Sequence, residues 1–143
     1  MPRPDPALLD PGRYPFHCSI ETRFGDIDVN QHINNVALVG LLEEGRVRFH
    51  RASGYHAAIA GMTSMVASIA VEFLGQGYFP DPIAMHVALS QLGNTSYTLH
   101  QLVTQQGRTV ACARAVMVCM DGTGPVPLPP AFRAGAEAWM LAA

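Results

Sequence analysis

The stretch that decides the fold runs from Arg23 to Arg46 and reads R-F-G-D-I-D-V-N-Q-H-I-N-N-V-A-L-V-G-L-L-E-E-G-R. Its first part, residues 25–34, is a polar loop with two aspartates, a histidine and several amides. Its second part, from Asn35 to about Phe49, is mostly apolar and favours a helix. The start of a helix presents backbone N–H groups without intrahelical partners, and its dipole favours negative charge. We therefore expect this junction to suit a reaction that develops an oxyanion.

The composition predicts one domain that associates with itself. The chain has 143 residues, enough to bury a core of its own. Hydrophobic residues make up 49% of it and charged residues only 14%, below the roughly 25% of an average soluble domain. This low charge indicates apolar surface buried between subunits, and we expect a homodimer or homotetramer. The alternative is a monomer that is unusually rich in core.

Several classes of protein are disfavoured by the sequence. The net charge is −2 and the nine basic residues, all arginine, form no cluster, which argues against nucleic-acid binding. No apolar run approaches the ~20 residues of a membrane span. The proline-rich N-terminus lacks the apolar centre of a signal peptide. Three cysteines without framework spacing indicate free thiols in a reducing cytoplasm, and no residue spacing indicates a metal site or a cofactor.

The first half of the chain predicts a strand and a long helix. Residues 1–12 contain four prolines and should form an irregular arm. Loose alternation from about Tyr14 to Phe24 predicts a strand. A helix should run from Val36 to about Arg51, with Asn34 or Asn35 as its N-cap. Because this helix is apolar on nearly all sides, we expect other elements to cover it on several of them.

The second half of the chain predicts a meander of about four antiparallel strands joined by tight turns. The strand candidates are Thr63–Gly75, Ile83–Leu92, Ser96–Gln105 and Thr109–Met120. Residues 125–143 should form a proline-rich connector, Pro125–Pro130, followed by a short helix, Ala131–Leu141. The expected fold is α+β, a single domain over residues 1–143 in which one antiparallel sheet of about five strands wraps around one long central helix.

The motif D-I-D-V-N-Q-H-I-N-N, followed by E-E-G-R at Glu43–Arg46, resembles that of hotdog-fold acyl-CoA thioesterases, most closely the 4-hydroxybenzoyl-CoA thioesterase-like branch. The order of predicted elements agrees with that fold along nearly the whole chain. The resemblance implies hydrolysis of an acyl-CoA to the free acid and CoA, without a cofactor. It also implies a dimer in which two helices pack together and two sheets join edge to edge.

The resemblance assigns roles to individual residues. The second aspartate of the family motif, here Asp28, carries catalysis, either as a nucleophile or as a general base that activates water. The backbone N–H of about Asn35 polarises the thioester carbonyl. His32 orients the loop or holds a water, and Asn34 is placed at the substrate or in a structural role. The structural alternative for Asp28 is a carboxylate that only binds nearby backbone N–H groups.

Substrate-binding residues follow from the same resemblance. The family's helix tyrosine, which lines the acyl pocket, is Leu38 here, so an aliphatic acyl group is expected. CoA phosphates attract arginine at the protein surface. Arg51, Arg108 and Arg114 are candidates, and we place Arg51 among the substrate-binding residues. The glycine usual before the histidine is Gln31 here, which is a departure from the family pattern in this loop.

Other readings remain open. Asp26 is expected to brace the loop, and Glu43 or Glu44 to pair with an arginine of the helix rather than to act in catalysis. A second alternative is a hotdog hydratase or dehydratase. Those enzymes carry a histidine five residues after the aspartate, whereas His32 is four after Asp28, and this spacing argues against that alternative. A third alternative is a module that binds acyl-CoA without turnover.

Overall fold

One long helix, α1 (Asn35–Ala52), lies against a curled antiparallel sheet in the computed structural model, which describes residues 3–143. The strands are β1 (Phe16–Ile20), β2 (Thr63–Phe73), β3 (Ile83–Leu92), β4 (Ser96–Gln105), β5 (Arg108–Asp121) and β6 (Gly124–Pro125). Two short helices, α2 (Tyr55–Ala58) and α3 (Pro130–Gly135), complete the regular elements. The predicted α+β architecture of about five strands around one helix is confirmed.

The strand order is β1-β3-β4-β5-β2, with β6 paired to the end of β5. Tight turns join β3 to β4 and β4 to β5, as predicted. The predicted four-strand meander is wrong at β2, which pairs with β5 instead of β3. The segment of residues 74–82 carries the chain back across three strand spacings, roughly 14 Å. Nine residues span that distance easily, because each adds up to ~3.3 Å.

Alternating side chains of the sheet form two apolar clusters. On the face towards α1, Met85, Val87 and Leu89 of β3 pack with Leu99 of β4 in the main core. The other face carries a smaller cluster beneath the N-terminal arm, formed by Tyr14, Ala88, Leu102 and Cys112. The alternation of Met85, Val87 and Leu89 with Ala88 in the sequence of β3 therefore corresponds to the two faces of the sheet.

Only part of helix α1 is covered. Leu38, Leu42 and Phe49 are buried against the sheet. Val36 is 75% exposed and Val47 is 45% exposed on the other side of the helix. The expectation that other elements cover the helix on several sides is therefore not met within one subunit.

Two segments differ from the sequence-based boundaries. β1 ends at Ile20, and Phe24–Asp26 is a 3₁₀ turn instead of strand. The cause is the Asp26 carboxylate, which accepts the backbone N–H of Arg23 at 2.9 Å and curls the chain. The predicted C-terminal helix is divided into α3 and a 3₁₀ turn, Ala136–Trp139.

The N-terminal arm contains more local order than its proline content indicated. Two 3₁₀ turns, Pro6–Leu9 and Pro11–Arg13, begin with prolines in the first helical positions. Asp5 and Asp10 cap them by accepting backbone N–H groups at 2.9 Å. Residues 1 and 2, part of the predicted irregular arm, lie outside the described residues.

None of the helices within residues 3–143 combines the length and the apolar character that a membrane span needs.

Candidate active site

A cleft of about 420 Å³ lies where the polar loop meets the start of α1. Four of the residues predicted from the sequence line it together: Asp28, His32, Asn35 and Leu38. The other lining residues come from the loop, from the end of β2 with the segment that follows it, and from β5; they are Asn30, Ile33, Phe73, Leu74, Gly75, Gln76, Gly77 and Val110. Carboxylate, imidazole and helix N-terminus therefore meet at one cavity.

The loop around Asp28 is held by its own hydrogen bonds. The Asp28 carboxylate accepts the backbone N–H of Asn30 at 2.9 Å, and the Asp28 carbonyl accepts that of Gln31 at 3.0 Å. The Asp28 N–H donates to the His32 carbonyl at 3.1 Å. These bonds close a tight turn that leaves Asp28 half-buried at the cleft. The loop uses one carboxylate oxygen of Asp28 and leaves the other available. The structural role of Asp28 in the loop is therefore compatible with a catalytic role.

Gln31 completes this turn in an unusual conformation. Its φ is 64°, in the left-handed region that non-glycine residues seldom adopt. The position is the one where the resembling family carries glycine. Gln31 thus adopts at this position a backbone conformation that glycine takes without strain.

Two further contacts fix the loop to the rest of the fold. The Ile33 N–H donates to the Gly77 carbonyl at 2.8 Å, which ties the loop to the segment after β2. The Asn34 N–H donates to the Asp26 carbonyl at 2.8 Å. Asp26 itself is 3% exposed and binds Arg23 through its carboxylate. Asp26 thus braces the loop, as expected, and does not line the cleft.

The start of α1 offers an unused donor to the cleft. Asn34 is the N-cap, with its side-chain oxygen accepting the Val36 N–H at 2.8 Å. The first intrahelical bond runs from the Leu38 N–H to the Asn34 carbonyl. Among residues 3–143, the backbone N–H of Asn35 has no acceptor. This donor, at the positive end of an 18-residue helix, is suited to a carbonyl oxygen that gains negative charge.

The remaining predicted residues lie elsewhere. Asn34 acts as the cap and is not part of the cleft lining. Arg51 is in the last turn of α1, sixteen residues and about 24 Å along the helix axis from Asn35. Arg114 lies on the sheet face away from α1, beside Tyr14 and His100. One subunit therefore brings neither arginine to the cleft.

Of the two carboxylates of the helix, Glu44 forms the ion pair expected for it, and Glu43 forms none within residues 3–143. Glu44 and Arg48 form an ion pair at 2.6 Å, and Arg48 also donates to the Ser19 carbonyl at 3.0 Å. Glu43 is exposed, and Arg46 is buried with its guanidinium donating to the Gln101 side chain at 3.1 Å. Neither glutamate lines the cleft.

Sequence reasoning missed the wall contributed by residues 73–77. In the sequence, Gly75 and Gly77 predict no more than a bend before a loop. A Cβ placed on Gly75 would lie 2.4 Å from the Thr109 carbonyl oxygen, so this glycine lets the chain lie directly on β5. Paired glycines beside an apolar strand end are the signal of such a close approach.

A second group of polar side chains is buried away from the cleft, beneath the C-terminal half of α1. Tyr97 is hydrogen-bonded to His50 at 2.8 Å and to Ser64 at 3.1 Å, and Ser64 contacts Tyr55 at 2.5 Å. Burial, together with the nearby charges of Arg46 and His56, lowers the pKa of His50 to about 4. This group is a structural network of neutral side chains.

Comparison with models of known protein families identifies the family to which the chain is similar. The model of the thioesterase-like superfamily matches residues 22–135. A comparison with curated proteins found no match.

Three solved structures illustrate the similarity. A thioesterase from Thermus thermophilus, crystallised with coenzyme A and zinc, is 28% identical with a TM-score of 0.78, covering 89% of this chain and 95% of its own. YbaW of Escherichia coli, described as a probable thioesterase, is 26% identical with a TM-score of 0.75, covering 87% and 98%. The PA5185 protein of Pseudomonas aeruginosa shares the fold, at 22% identity and a TM-score of 0.81, covering 92% and 96%.

These comparisons confirm the predicted family and the hotdog fold. The 4-hydroxybenzoyl-CoA thioesterase-like branch stays a prediction. Zinc belongs to the Thermus structure; among residues 3–143 of this chain, no three His, Cys, Asp or Glu side chains are grouped as a metal ion would require.

Proposed function

The chain belongs to the thioesterase-like superfamily, and we propose that it hydrolyses an acyl-CoA thioester to the free acid and CoA. The observation that carries this proposal is the meeting of Asp28, the unused N–H of Asn35 and the apolar side chain of Leu38 in one cleft. A thioesterase needs these three functions: a carboxylate, an oxyanion donor and a place for the acyl group.

The Asp28 carboxylate starts the attack on the thioester carbon, either as the nucleophile or as the base that activates water. In one route a carboxylate oxygen attacks the thioester carbon, thiolate leaves, and water hydrolyses the mixed anhydride. In the other route the carboxylate takes a proton from water as that water attacks the same carbon. Either route requires an ionised carboxylate with one oxygen unoccupied, and the Asn30 N–H engages only one of the two.

Asn35 stabilises the charge that develops on the carbonyl oxygen. Its N–H is fixed by the helix and needs no rearrangement when the oxyanion forms. The loss of one such donor typically costs ~10²–10³ in rate. His32 lines the same cleft and holds the loop through its carbonyl, so we propose a positioning role for it.

The acyl group lies against the apolar wall of the cleft. Leu38 is 3% exposed there, and Phe73, Leu74 and Val110 continue the wall. Because Leu38 stands where the resembling family carries a tyrosine, we propose an aliphatic acyl chain.

We further propose that the working form is a dimer. β2 is an edge strand, and Met65, Val66, Ile69 and Phe73 on it are between 38% and 50% exposed. An exposed apolar edge is a site for pairing with another strand. Because Phe73 also lines the cleft, a second copy on this edge would extend the cleft wall.

The experiment is a panel of acyl-CoAs, from short to long aliphatic chains and one aromatic, with the released thiol trapped by a chromogenic disulfide. We expect turnover with a preference for one range of aliphatic lengths. An enoyl-CoA is assayed beside the panel. If it loses its conjugated absorbance without thiol release, the protein is a hydratase instead.

Binding of acyl-CoA without turnover of any member would contradict the proposal and identify a binding module. Binding is measured by calorimetry with a non-hydrolysable thioether analogue, so that the absence of turnover is distinguished from the absence of affinity.

A further inference from the structure

At the rim of the cleft, the guanidinium of an arginine lies over an aromatic ring. The guanidinium of Arg108 lies over the ring of Tyr78, 5.2 Å from its centroid. The same guanidinium donates to the carbonyl of Gln76, a cleft-lining residue, at 3.2 Å. Stacking and one hydrogen bond therefore hold an exposed cation in a fixed place beside the cleft.

The platform beneath this arginine is rigid. The side chain of Gln105, 1% exposed, accepts the Tyr78 N–H at 2.8 Å and donates to the Tyr78 carbonyl at 2.7 Å. It also donates to the Asp81 carbonyl at 2.8 Å. This buried amide fixes the backbone of Tyr78 at both its N–H and its carbonyl, although Tyr78 is 40% exposed.

The platform is also continuous with the site. The ring of His32 contacts the ring of Tyr78 edge-on, with centroids 5.4 Å apart. His32, Tyr78 and Arg108 thus form a contiguous path from the catalytic loop to the surface, which we call the rim stack.

Arg108 stands apart from the other arginines in residues 3–143. Arg13, Arg23 and Arg48 are paired with carboxylates, and Arg46 is buried on Gln101. Arg133 donates to backbone carbonyls at the turn after β3. Of the arginines without a carboxylate partner in this part of the chain, Arg108 is the one that contacts a cleft-lining residue.

We infer that the rim stack binds a phosphate group of the thiol carrier, with Arg108 as the specificity-determining residue. The inference rests on the proposed function, because it takes the cleft as the thioester site. Arg108 has five N–H donors and uses one on Gln76, which leaves the rest of its planar fork for a phosphate. Among the three arginines that the sequence offered for this role, Arg51, Arg108 and Arg114, the inference favours Arg108 over Arg51.

The test compares one acyl group on three carriers: CoA, 4′-phosphopantetheine and pantetheine, which lacks phosphate. The quantity measured is the ratio of kcat/KM for each phosphorylated carrier to that for pantetheine. In the wild type we expect this ratio to exceed ten for CoA, and in Arg108→Gln to fall at least tenfold through KM. Arg108→Lys, which keeps a point charge without the planar fork, should restore part of it.

The carriers separate the phosphates of CoA. A ratio for 4′-phosphopantetheine equal to that for CoA assigns Arg108 to the phosphate nearest the pantetheine, and a low ratio assigns it to the nucleotide end. The matched control is Arg114→Gln, on the opposite face of the sheet, which should leave all ratios unchanged.

An unchanged ratio in Arg108→Gln, or an equal fall in Arg114→Gln, would overturn the inference while thioester hydrolysis stands. Calorimetric titration with CoA itself gives a readout without turnover: Arg108→Gln should weaken binding at least tenfold. If the wild type hydrolyses nothing but binds CoA through Arg108, the proposed function fails and the inference survives.

Discussion

At the scale of single residues, Gln31 shows how the loop of the site tolerates an unfavourable choice. Its φ of 64° costs an L-residue roughly 1–2 kcal/mol, and its side chain is exposed. The conformation persists because bonds from Asp28 and His32 close the turn on either side. The sequence identifies this position as a departure from the family, and the backbone shows that Gln31 takes a left-handed conformation there.

Replacing Gln31 with glycine should stabilise the protein. Glycine removes the left-handed strain and gives back part of that gain as backbone entropy, so a net increase of about 0.5–1 kcal/mol is expected. Urea denaturation measures it. Gln91→Gly, at an exposed position in β3, is the control and should destabilise by a similar amount. A loss of stability in Gln31→Gly would show that the side chain has a role of its own.

At the scale of elements, local patterns predicted what local physics determines. The bounds of β3 and β4 follow directly from alternation between tight turns, and both match. The partner of β2 did not follow, because pairing between strands far apart in the sequence depends on register and crossover length, which no local pattern carries. The missed cleft wall has the same cause, since residues 73–77 reach the loop only through this crossover.

Gly75→Ala should damage the cleft wall. The added Cβ meets the Thr109 backbone oxygen, which cannot move aside as a flexible side chain would. We expect a loss of about 1–3 kcal/mol in stability and a clear fall in activity. Gly122→Ala, with nothing within 4 Å of its Cβ, is the matched control and should leave both unchanged. Equal behaviour of the two variants would disprove the close approach.

The buried network under α1 should make the protein sensitive to acid. Because the pKa of His50 is about 4 in the folded state and ~6.5 when unfolded, only the unfolded chain binds this proton between those values. Stability therefore falls as the pH falls through that window, by up to about 3 kcal/mol from His50. Burial lowers the pKa of His86 and His100 as well, which adds to the loss.

Urea denaturation at pH 7.5 and pH 4.5 tests this account. The loss between the two pH values should be smaller in His50→Gln than in the wild type by about 2 kcal/mol. Equal losses in both proteins would mean that His50 is protonated in the folded state or is not buried there.

At the scale of the whole molecule, one subunit leaves apolar surface that a second copy would cover. The exposed valines of α1 and the exposed edge of β2 are the two surfaces concerned. The composition predicted association from its low charge. It did not indicate which surfaces take part, because that depends on which faces the subunit leaves open.

Ile69→Lys should weaken the proposed dimer. The residue is 38% exposed on β2, and a lysine on an edge strand opposes strand pairing. Sedimentation velocity should give a dimer for the wild type and monomer for the variant at micromolar concentration. The control is Ala134→Lys, at an exposed position in α3. Val118→Lys would not serve, because Val118 lies within the sheet. A monomeric wild type, or a dimeric Ile69→Lys variant, would contradict the proposed interface.

The measurement that tests the central claim most directly is acyl-CoA hydrolysis by Asp28→Asn beside the wild type, on the substrate that the panel selects. The amide keeps the oxygen that accepts the Asn30 N–H, so the loop should remain folded while the carboxylate is lost. Asp121→Asn, on the exposed end of β5, is the control. The account predicts at least a hundredfold fall in kcat for Asp28→Asn alone, with binding of the thioether analogue retained. Undiminished turnover by Asp28→Asn would contradict it and remove Asp28 from the chemistry.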